Sequence, residues 1–163
     1  MEKYYDIKVN TYLGFRIGNE VFAIDVENVI EVIRNKGVTS VPKTADYIEG
    51  VIHFRGAILS VVSARKKLNV PDNESVGNDV IIVIEFETNN RPSKVGILAD
   101  KVIGVLKMQE NDIQPVMEFG NYYNPEFLKG AFKYKESIIT ILNVEKIFSE
   151  DEIRIINQEH KNE

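Results

Sequence analysis

The 163-residue sequence contains no cysteine, no tryptophan and only two histidines, His53 and His160. Without cysteine there are no disulfide bonds, no thiolate nucleophile and no cysteine-based zinc site, and a reducing compartment is favoured. The two histidines lie far apart, and no carboxylate recurs beside them at the spacing of a metal site or of a general base. The sequence therefore predicts neither a bound metal ion nor a cofactor.

Positive charge is also scarce, with 20 Lys and Arg residues against 25 Asp and Glu and a net charge of -5. Because nucleic-acid binding needs clustered positive charge, we expect no nucleic-acid partner. No apolar run approaches the ~18 residues that span a membrane, and the start of the chain lacks the apolar core of a signal peptide. We expect a cytoplasmic protein that does not insert into the membrane.

The sequence shows no arrangement of catalytic groups. No hydroxyl nucleophile has a base placed to activate it. Gly14 and Gly18 lack the spacing of a phosphate-binding loop. We therefore expect no enzymatic activity.

What the sequence does contain is a series of short β-rich runs. Residues 12–17 and 21–24 flank Gly18-Asn19, a pattern typical of a β-hairpin. Residues 25–33 combine helical spacing of apolar side chains with many β-branched residues. We expect a helical turn capped by Asp25 over the first four of them, followed by a strand.

The remaining segments are defined by apolar runs and turn residues. Residues 57–62 and 138–142 are apolar or small throughout, which predicts strands buried on both faces. Ser149 and Glu152 fit a capping box, so a C-terminal helix is expected from about Glu150. The other expectations are a tail or short leading helix at 1–11, a break at 41–42, a loop at 69–78, a strand at 80–87, a turn at 88–93, a strand at 95–98 and an irregular excursion at 108–124.

The chain also aligns with itself. In a first match, segment 47–68 aligns with segment 127–148 without a gap, and in a second match, segment 23–33 aligns with segment 96–106. Two β-rich segments can align by chance, but the ungapped length of the first match and the collinear second match favour a true repeat. Each repeat supplies about five short strands, enough for a small closed barrel. Two such barrels share a core and leave a groove between them, a favoured place for binding.

Five stretches carry a recognisable pattern, namely FRIGNEVFAI at 15–24, VIEVI at 29–33, GVIHFRGAI at 50–58, GILADKV at 96–102 and IITILNVEK at 138–146. The motif Gly-hydrophobic-hydrophobic-x-hydrophobic-Arg-Gly at 50–56 is the most specific part. Together these stretches resemble the CheW-like domain of bacterial chemotaxis coupling proteins, which also occurs in the kinase CheA and in CheV. The resemblance spans roughly residues 12–148.

The resemblance implies an all-β fold of two intertwined SH3-like five-stranded barrels. The two halves would cover roughly residues 12–68 and 79–148 with exchange of strands, and a C-terminal α-helix and tail would occupy residues 149–163. The implied function is that of a non-enzymatic adaptor in receptor arrays. Its partners would be the cytoplasmic tip of methyl-accepting chemoreceptors and the CheW-like regulatory domain of CheA. An SH3-like module for another ligand, or a coupling protein of a pathway that does not control motility, remain alternatives.

The sequence departs from the family pattern at several positions. His53-Phe54 stands where the family usually has Asn-Leu, Ser60 and Ser63 stand where Pro and Asp are usual, and Ala64 replaces a common Leu. Arg65 is kept. These departures indicate a divergent member of the family.

Arg55 is the leading candidate for contact with a partner. Strand alternation would place Val51, His53 and Arg55 on one face, and the planar guanidinium suits a carboxylate. Composition alone favours a plain surface arginine or an internal ion pair, whereas the resemblance implies a role in coupling. We hypothesise that Arg55 pairs with Glu31 and so orients the lip of the groove.

Other residues complete the predicted partner surface. Val29 and Glu31 are expected to alternate outward, and Val102, Gly104 and Val105 of the aligned segment in the repeat would line the opposite lip. The same apolar pattern also fits a core. The full set of predicted partner-binding residues is Val29, Ile30, Glu31, Gly50, Arg55, Gly56, Val102 and Val105.

Two glycines and a basic cluster are open to more than one interpretation. Gly50 and Gly56 bracket the motif strand, either as ordinary turn or bulge glycines or because a missing side chain allows a partner to approach closely. The cluster Arg65-Lys66-Lys67 is expected at a solvated strand end, where it would contribute at most to steering a partner.

Overall fold

The computed structural model describes residues 8–42, 45–71, 77–88, 90–115, 123–148 and 152. Most of the described chain is β-strand. The ten strands are β1 Val9–Ile17, β2 Glu20–Asp25, β3 Val29–Arg34, β4 Ile48–Phe54, β5 Ala57–Ser63, β6 Val80–Thr88, β7 Arg91–Ala99, β8 Lys101–Gln109, β9 Leu128–Tyr134 and β10 Ser137–Leu142. Two short helices, α1 Ala64–Leu68 and α2 Val144–Ile147, follow β5 and β10.

The strands form two curled five-stranded sheets, with strand orders β8-β1-β2-β10-β9 and β3-β6-β7-β5-β4. One contact in each sheet is parallel, β2 with β10 and β5 with β7, and the other ladders are antiparallel. The predicted all-β fold with two five-stranded barrels is confirmed. Each half of the sequence contributes a hairpin to the other half's sheet, since β1–β2 lie with β8–β10 and β6–β7 lie with β3–β5.

The two parallel contacts occupy equivalent positions in the sequence repeat. Val61 pairs with Gly96 in one sheet, and Ile141 pairs with Ala23 in the other. The first match of the repeat aligns Val61 with Ile141, and the second match aligns Ala23 with Gly96. Both halves therefore use the same strand register, and the repeat seen in the sequence is present in three dimensions.

Strands that are buried on both faces supply three apolar clusters. Two clusters each draw on a single sheet, one around Phe132 and one around Leu59, and the largest joins side chains of both sheets, including Phe15. Alternation along β5 shows how one strand serves two clusters, because Val61 packs within its own sheet and the adjacent Val62 packs in the shared cluster. The predicted double burial of residues 57–62 is confirmed from Leu59 onward.

Local structure follows the turn and capping residues of the first hairpin. Gly18 has φ 61°, a conformation that glycine adopts without steric cost, and its N–H donates to Asp100 Oδ2 at 2.7 Å. The predicted turn after β2 is present as a 3₁₀ helix over Val26–Asn28, where Asp25 Oδ1 accepts from the Glu27 N–H at 2.9 Å. β3 then begins at Val29, as expected.

Two boundary predictions are wrong. Residues 9–11, expected in a tail or leading helix, form the start of β1 because β8 extends far enough to pair with them, Val9 opposite Gln109. Residues 91–93, expected in a turn, belong to β7. Pro92 is tolerated there because β5 pairs only with residues 96–98 of β7, so no hydrogen bond from residue 92 is required on that side.

The basic cluster Arg65-Lys66-Lys67 does not lie at a solvated strand end. It forms most of α1, whose first turn is capped by Ser63 Oγ accepting from the Lys66 N–H at 3.2 Å, and which ends at Asn69 with φ 59°. The helix was missed because so short a segment cannot show apolar periodicity.

The expected excursion at 108–124 is described only in part, and its start was predicted too early because Met108 and Gln109 belong to β8. Glu110–Asp112 form a 3₁₀ turn and Gln114 makes an isolated bridge to Ala131, whereas residues 116–122 of the expected excursion are not described. The expected C-terminal helix from about Glu150 is represented only by Glu152.

Candidate functional site

Arg55 lies in the turn between β4 and β5 rather than on the strand. Phe54 pairs with Ala57, so Arg55 and Gly56 form a two-residue hairpin loop with φ values of 51° and 80°. Two positive φ values are typical of a type I′ turn, which matches the twist of the flanking strands. The predicted alternation of Arg55 with Val51 and His53 is therefore wrong, because the turn reorients the backbone after Phe54.

The hypothesised pairing of Arg55 with Glu31 is present. Arg55 Nη2 donates to Glu31 Oε1 at 2.7 Å, and the two side chains are 63% and 42% exposed. The guanidinium carbon also lies 4.9 Å from the centre of the Phe54 ring, within the range of a cation–π contact. These two contacts hold the guanidinium at the hairpin tip, on the surface of the molecule.

Val29 and Ile30 are both half-buried, which differs from the simple outward alternation predicted for Val29 and Glu31. The ladder between β3 and β6 shifts register between Val29 and Glu31, and such a bulge breaks the period of two. Val29 packs against the cluster shared by both sheets, whereas Ile30 packs against the cluster of its own sheet. Glu31 emerges after the bulge and faces Arg55.

The second half carries equivalent positions on β8. Val102 packs against the shared cluster, as Val29 does. Val105 is 59% exposed, and Val32, its equivalent in the second match of the repeat, is 38% exposed. Sequence reasoning missed Val32, although the repeat pairs it with a residue that was named. Val32 and Val105 are therefore more accessible to a partner than Val29 and Val102, which pack against the shared cluster.

The neighbouring backbone of the same chain requires a glycine at position 50. Gly50 has φ 149°, and a Cβ there would overlap the carbonyl oxygen of Thr39 and lie 2.9 Å from Val38 Cγ1. Thr39 and Val51 exchange backbone hydrogen bonds of 2.9 and 3.0 Å at this point, so the chain's own segment makes the close approach considered for a partner. By contrast, a Cβ at Gly56 would meet nothing within 4 Å, so the positive φ alone explains that glycine.

A cleft of about 310 Å³ opens beside the Arg55 hairpin. Its apolar lining includes Phe54, Ile58 and Pro92, and its charged lining consists of Arg55, Lys94 and Glu85. With two cations against one carboxylate in its lining, the cleft suits an apolar side chain that has an acidic group nearby. Nothing in its lining resembles the convergent polar groups of a small-molecule site.

Lys67 forms a second site that sequence reasoning missed. Its ammonium lies 4.7 Å from the centre of the Tyr47 ring, 5.6 Å from Phe127 and 5.8 Å from Phe148, and it donates to Glu152 Oε2 at 2.5 Å. The Lys67 side chain is only 14% exposed. We call these five residues the Lys67 box. The repeat indicated that position 67 is buried, because the residue aligned with Lys67 in the second half is the buried Ile147.

Electrostatics within the Lys67 box favour a neutral phenol. Burial raises the pKa of Tyr47, and the hydrogen bond and negative charge of Glu152 raise it further. The neighbouring Lys66 points elsewhere and pairs with Glu49 at 3.0 Å, a contact that raises the pKa of its ammonium.

Neither a metal centre nor a membrane span is found in the part of the chain that the structure describes. No group of three or more His, Asp or Glu side chains there is placed to hold a metal ion. No described helix is both long and apolar enough to cross a bilayer.

Comparison with known proteins identifies the family. The CheW-like domain matches residues 11–152. The chain belongs to the CheW-like family. The chain is 31% identical to chemotaxis protein CheW of Klebsiella aerogenes over 146 residues, covering 90% of this chain and 86% of that protein. It is 32% identical to chemotaxis protein CheW of Thermotoga maritima over 138 residues, covering 85% and 87%.

A solved CheW structure has the same fold. The crystal structure of the scaffolding protein TtCheW from Thermoanaerobacter tengcongensis superposes with a TM-score of 0.73 at 25% identity, covering 87% of this chain and 94% of that one. Membership in the CheW-like family supports a chemotaxis coupling scaffold.

One departure from the CheW-like sequence pattern has a structural explanation. Ser63 stands where the family usually has Asp, and it is the N-cap of α1. Serine and aspartate are both favoured N-caps because each side chain accepts a hydrogen bond from the first turn. The replacement therefore preserves the helix start. The retained Arg65 lies 3.3 Å from the buried carboxylate of Asp100 and ties α1 to the corner between β7 and β8.

Proposed function

We propose that this chain is a non-enzymatic adaptor that couples the cytoplasmic tips of methyl-accepting chemoreceptors to the histidine kinase CheA. The proposal places it in the cytoplasm, held at receptor arrays through its partners. The observation that carries it is the Arg55–Glu31 pair on an exposed hairpin, beside a cleft lined by apolar and charged side chains, in a chain of the CheW-like family. We further propose that residues 12–148 act as one domain whose halves cover roughly 12–68 and 79–148.

The geometry supports contact with proteins rather than catalysis. An exposed salt bridge contributes little to folding, about 0–1 kcal/mol, so the Arg55–Glu31 pair has little value to the fold alone. Held against Phe54, the guanidinium offers its remaining donors to carboxylates or backbone carbonyls of a partner. The neighbouring cleft accepts an apolar side chain, whose burial contributes about 25 cal/mol per Å² before the costs of association.

Reconstitution of kinase activity tests the proposal. Purified CheA of the source bacterium, a receptor signalling fragment and this chain are combined, and phosphoryl transfer from ATP is measured with and without the chain. We expect stimulation that requires all three components. Arg55→Ala and Glu31→Ala are expected to abolish most of the stimulation while leaving the circular dichroism spectrum unchanged.

A matched control separates a specific loss from a general change of charge. Arg91 is exposed and lies next to a hairpin turn, as the first residue of β7, so Arg91→Ala should leave stimulation intact. If the wild-type chain binds neither CheA nor the receptor fragment, the adaptor proposal is wrong and a module for another ligand becomes the better account. If Arg55→Ala and Glu31→Ala both retain full stimulation, the adaptor function does not use this hairpin.

A further inference from the structure

The hairpin between β9 and β10 matches the Arg55 hairpin in length and at its first turn residue, although Glu136 takes the position of Gly56 and lacks its positive φ. Tyr134 pairs with Ser137 across a two-residue turn, as Phe54 pairs with Ala57. Lys135 is aligned with Arg55 in the first match of the repeat and has φ 55° against 51°. Its ammonium lies 5.4 Å from the centre of the Tyr134 ring, the counterpart of the contact between Arg55 and Phe54. Each half therefore presents one cation, stacked on the aromatic residue before it, at an exposed turn.

The two hairpins differ in their counter-ion. The residue equivalent to Glu31 is Gly104, which follows the equivalent bulge on β8, where the ladder with β1 shifts register between Gly104 and Val102. A Cβ at Gly104 would meet nothing within 4 Å. Lys135 is exposed, and among the residues that the structure describes it has no ion-pair partner. The second half thus keeps the cation and lacks the internal carboxylate.

We propose that Lys135 binds a carboxylate of the receptor tip. This carboxylate takes the place that Glu31 fills in the first half. This inference rests on the proposed adaptor function and assigns a contact to the second half of the chain. The space in front of Gly104 admits the acidic side chain, and the adjacent Val105, 59% exposed, packs against an apolar residue of the same helix. An amphipathic helix carries an acidic and an apolar side chain three or four positions apart on one face, so it matches both requirements.

Charge complementarity favours an acidic partner over a basic one. Lys133 lies directly across the ladder from Ile138 on the same hairpin, and both are exposed. Glu136 is the one acidic residue of this hairpin, against Lys133 and Lys135. The hairpin is therefore cationic with an exposed apolar side chain, whereas at the first hairpin Glu31 neutralises Arg55.

Binding of a receptor signalling fragment to the full chain tests the proposal. Lys135→Glu is expected to weaken binding about 10-fold at low salt, mainly through slower association, with a smaller difference at high salt. Lys135→Arg should retain wild-type affinity because the cation remains. Lys146→Glu makes the same charge change at an exposed site on α2, beyond the opposite end of β10, and should alter affinity less than twofold.

The outcomes distinguish this inference from the adaptor proposal. Equal affinities for Lys135→Glu and Lys146→Glu would overturn the role of Lys135 while leaving the adaptor function intact. Loss of CheA binding without loss of receptor binding in Lys135→Glu would overturn the choice of partner. Val105→Asp should also weaken receptor binding, and unchanged affinity in that variant would contradict the proposed apolar contact. A wild-type chain that binds no receptor fragment would remove both proposals.

Discussion

The Lys67 ammonium lies 4.7 Å from the centre of the Tyr47 ring and 2.5 Å from Glu152, joining chain segments that are distant in sequence. Lys67 belongs to α1 in the first half, whereas Phe127, Phe148 and Glu152 come from the second half and the C-terminal region. The box therefore ties the two halves together at the rim of their shared cluster. A charge is tolerated there because three aromatic faces and one carboxylate replace its water.

Lys67→Ala should destabilise the chain by about 2 kcal/mol, because it removes a largely desolvated cation–π contact and leaves the Glu152 carboxylate without its ammonium partner. The free energy of unfolding in urea measures the effect. Lys66→Ala is the matched control in the same helix, since Lys66 is more exposed and its pairing with Glu49 should contribute less than about 1 kcal/mol. Equal losses for the two variants would contradict a special role of the box.

Gly50→Ala should cost about 3 kcal/mol or more, because the added methyl group overlaps the Thr39 backbone, which cannot move without breaking its bridge to Val51. Gly56→Ala should cost only about 1–2 kcal/mol, the penalty of a left-handed conformation in open space. Thermal and urea unfolding of both variants measure the difference. A Gly56→Ala variant less stable than Gly50→Ala would show that the packing at Thr39 is not limiting.

Arg55→Ala should change the free energy of unfolding by less than about 1 kcal/mol, since both partners of the Arg55–Glu31 pair are well exposed. The same substitution is expected to abolish most of the kinase stimulation, so stability and activity should separate. Urea unfolding and the reconstituted kinase assay, performed on one preparation, make the comparison. A large loss of stability would instead indicate that the hairpin is a structural element.

Alkaline pH should destabilise the chain through Tyr123. Burial and the nearby Glu20 carboxylate raise the pKa of Tyr123 to about 12, whereas a tyrosine in the unfolded chain has a pKa of about 10. The stabilising contribution is therefore complete below about pH 10 and is lost as the pH rises toward about 12, because only the unfolded chain releases this proton in that interval. Melting temperatures between pH 9 and 12 measure the loss, and Tyr123→Phe should make it smaller. An unchanged slope in that variant would exclude Tyr123 as the cause.

Local sequence determined the features that depend on neighbouring residues. Gly18 and Asp25 specified a turn and a cap, and the apolar run at 57–62 specified a strand that is buried on both faces from Leu59 onward, since each property follows from side chains within a few positions. The repeat also anticipated equivalent strand pairs, which the pairings of Val61 and Ile141 bear out. The pairing of Arg55 with Glu31 was predicted with the help of a family resemblance.

Only the tertiary structure decided where individual charged side chains lie and where strands begin and end. A bulge against β6 separated Val29 from Glu31, and pairing with β8 extended β1 to Val9, both through contacts with distant segments. The turn that moved Arg55 off its strand is local, and the register of β4 with β5 sets its position. The local sequence showed three consecutive cations at 65–67, and only the alignment of Lys67 with Ile147 in the repeat set one of them apart. The fold buries Lys67 among aromatic rings and leaves Lys66 exposed, because burial depends on what the rest of the chain places beside a residue and not on the residue itself.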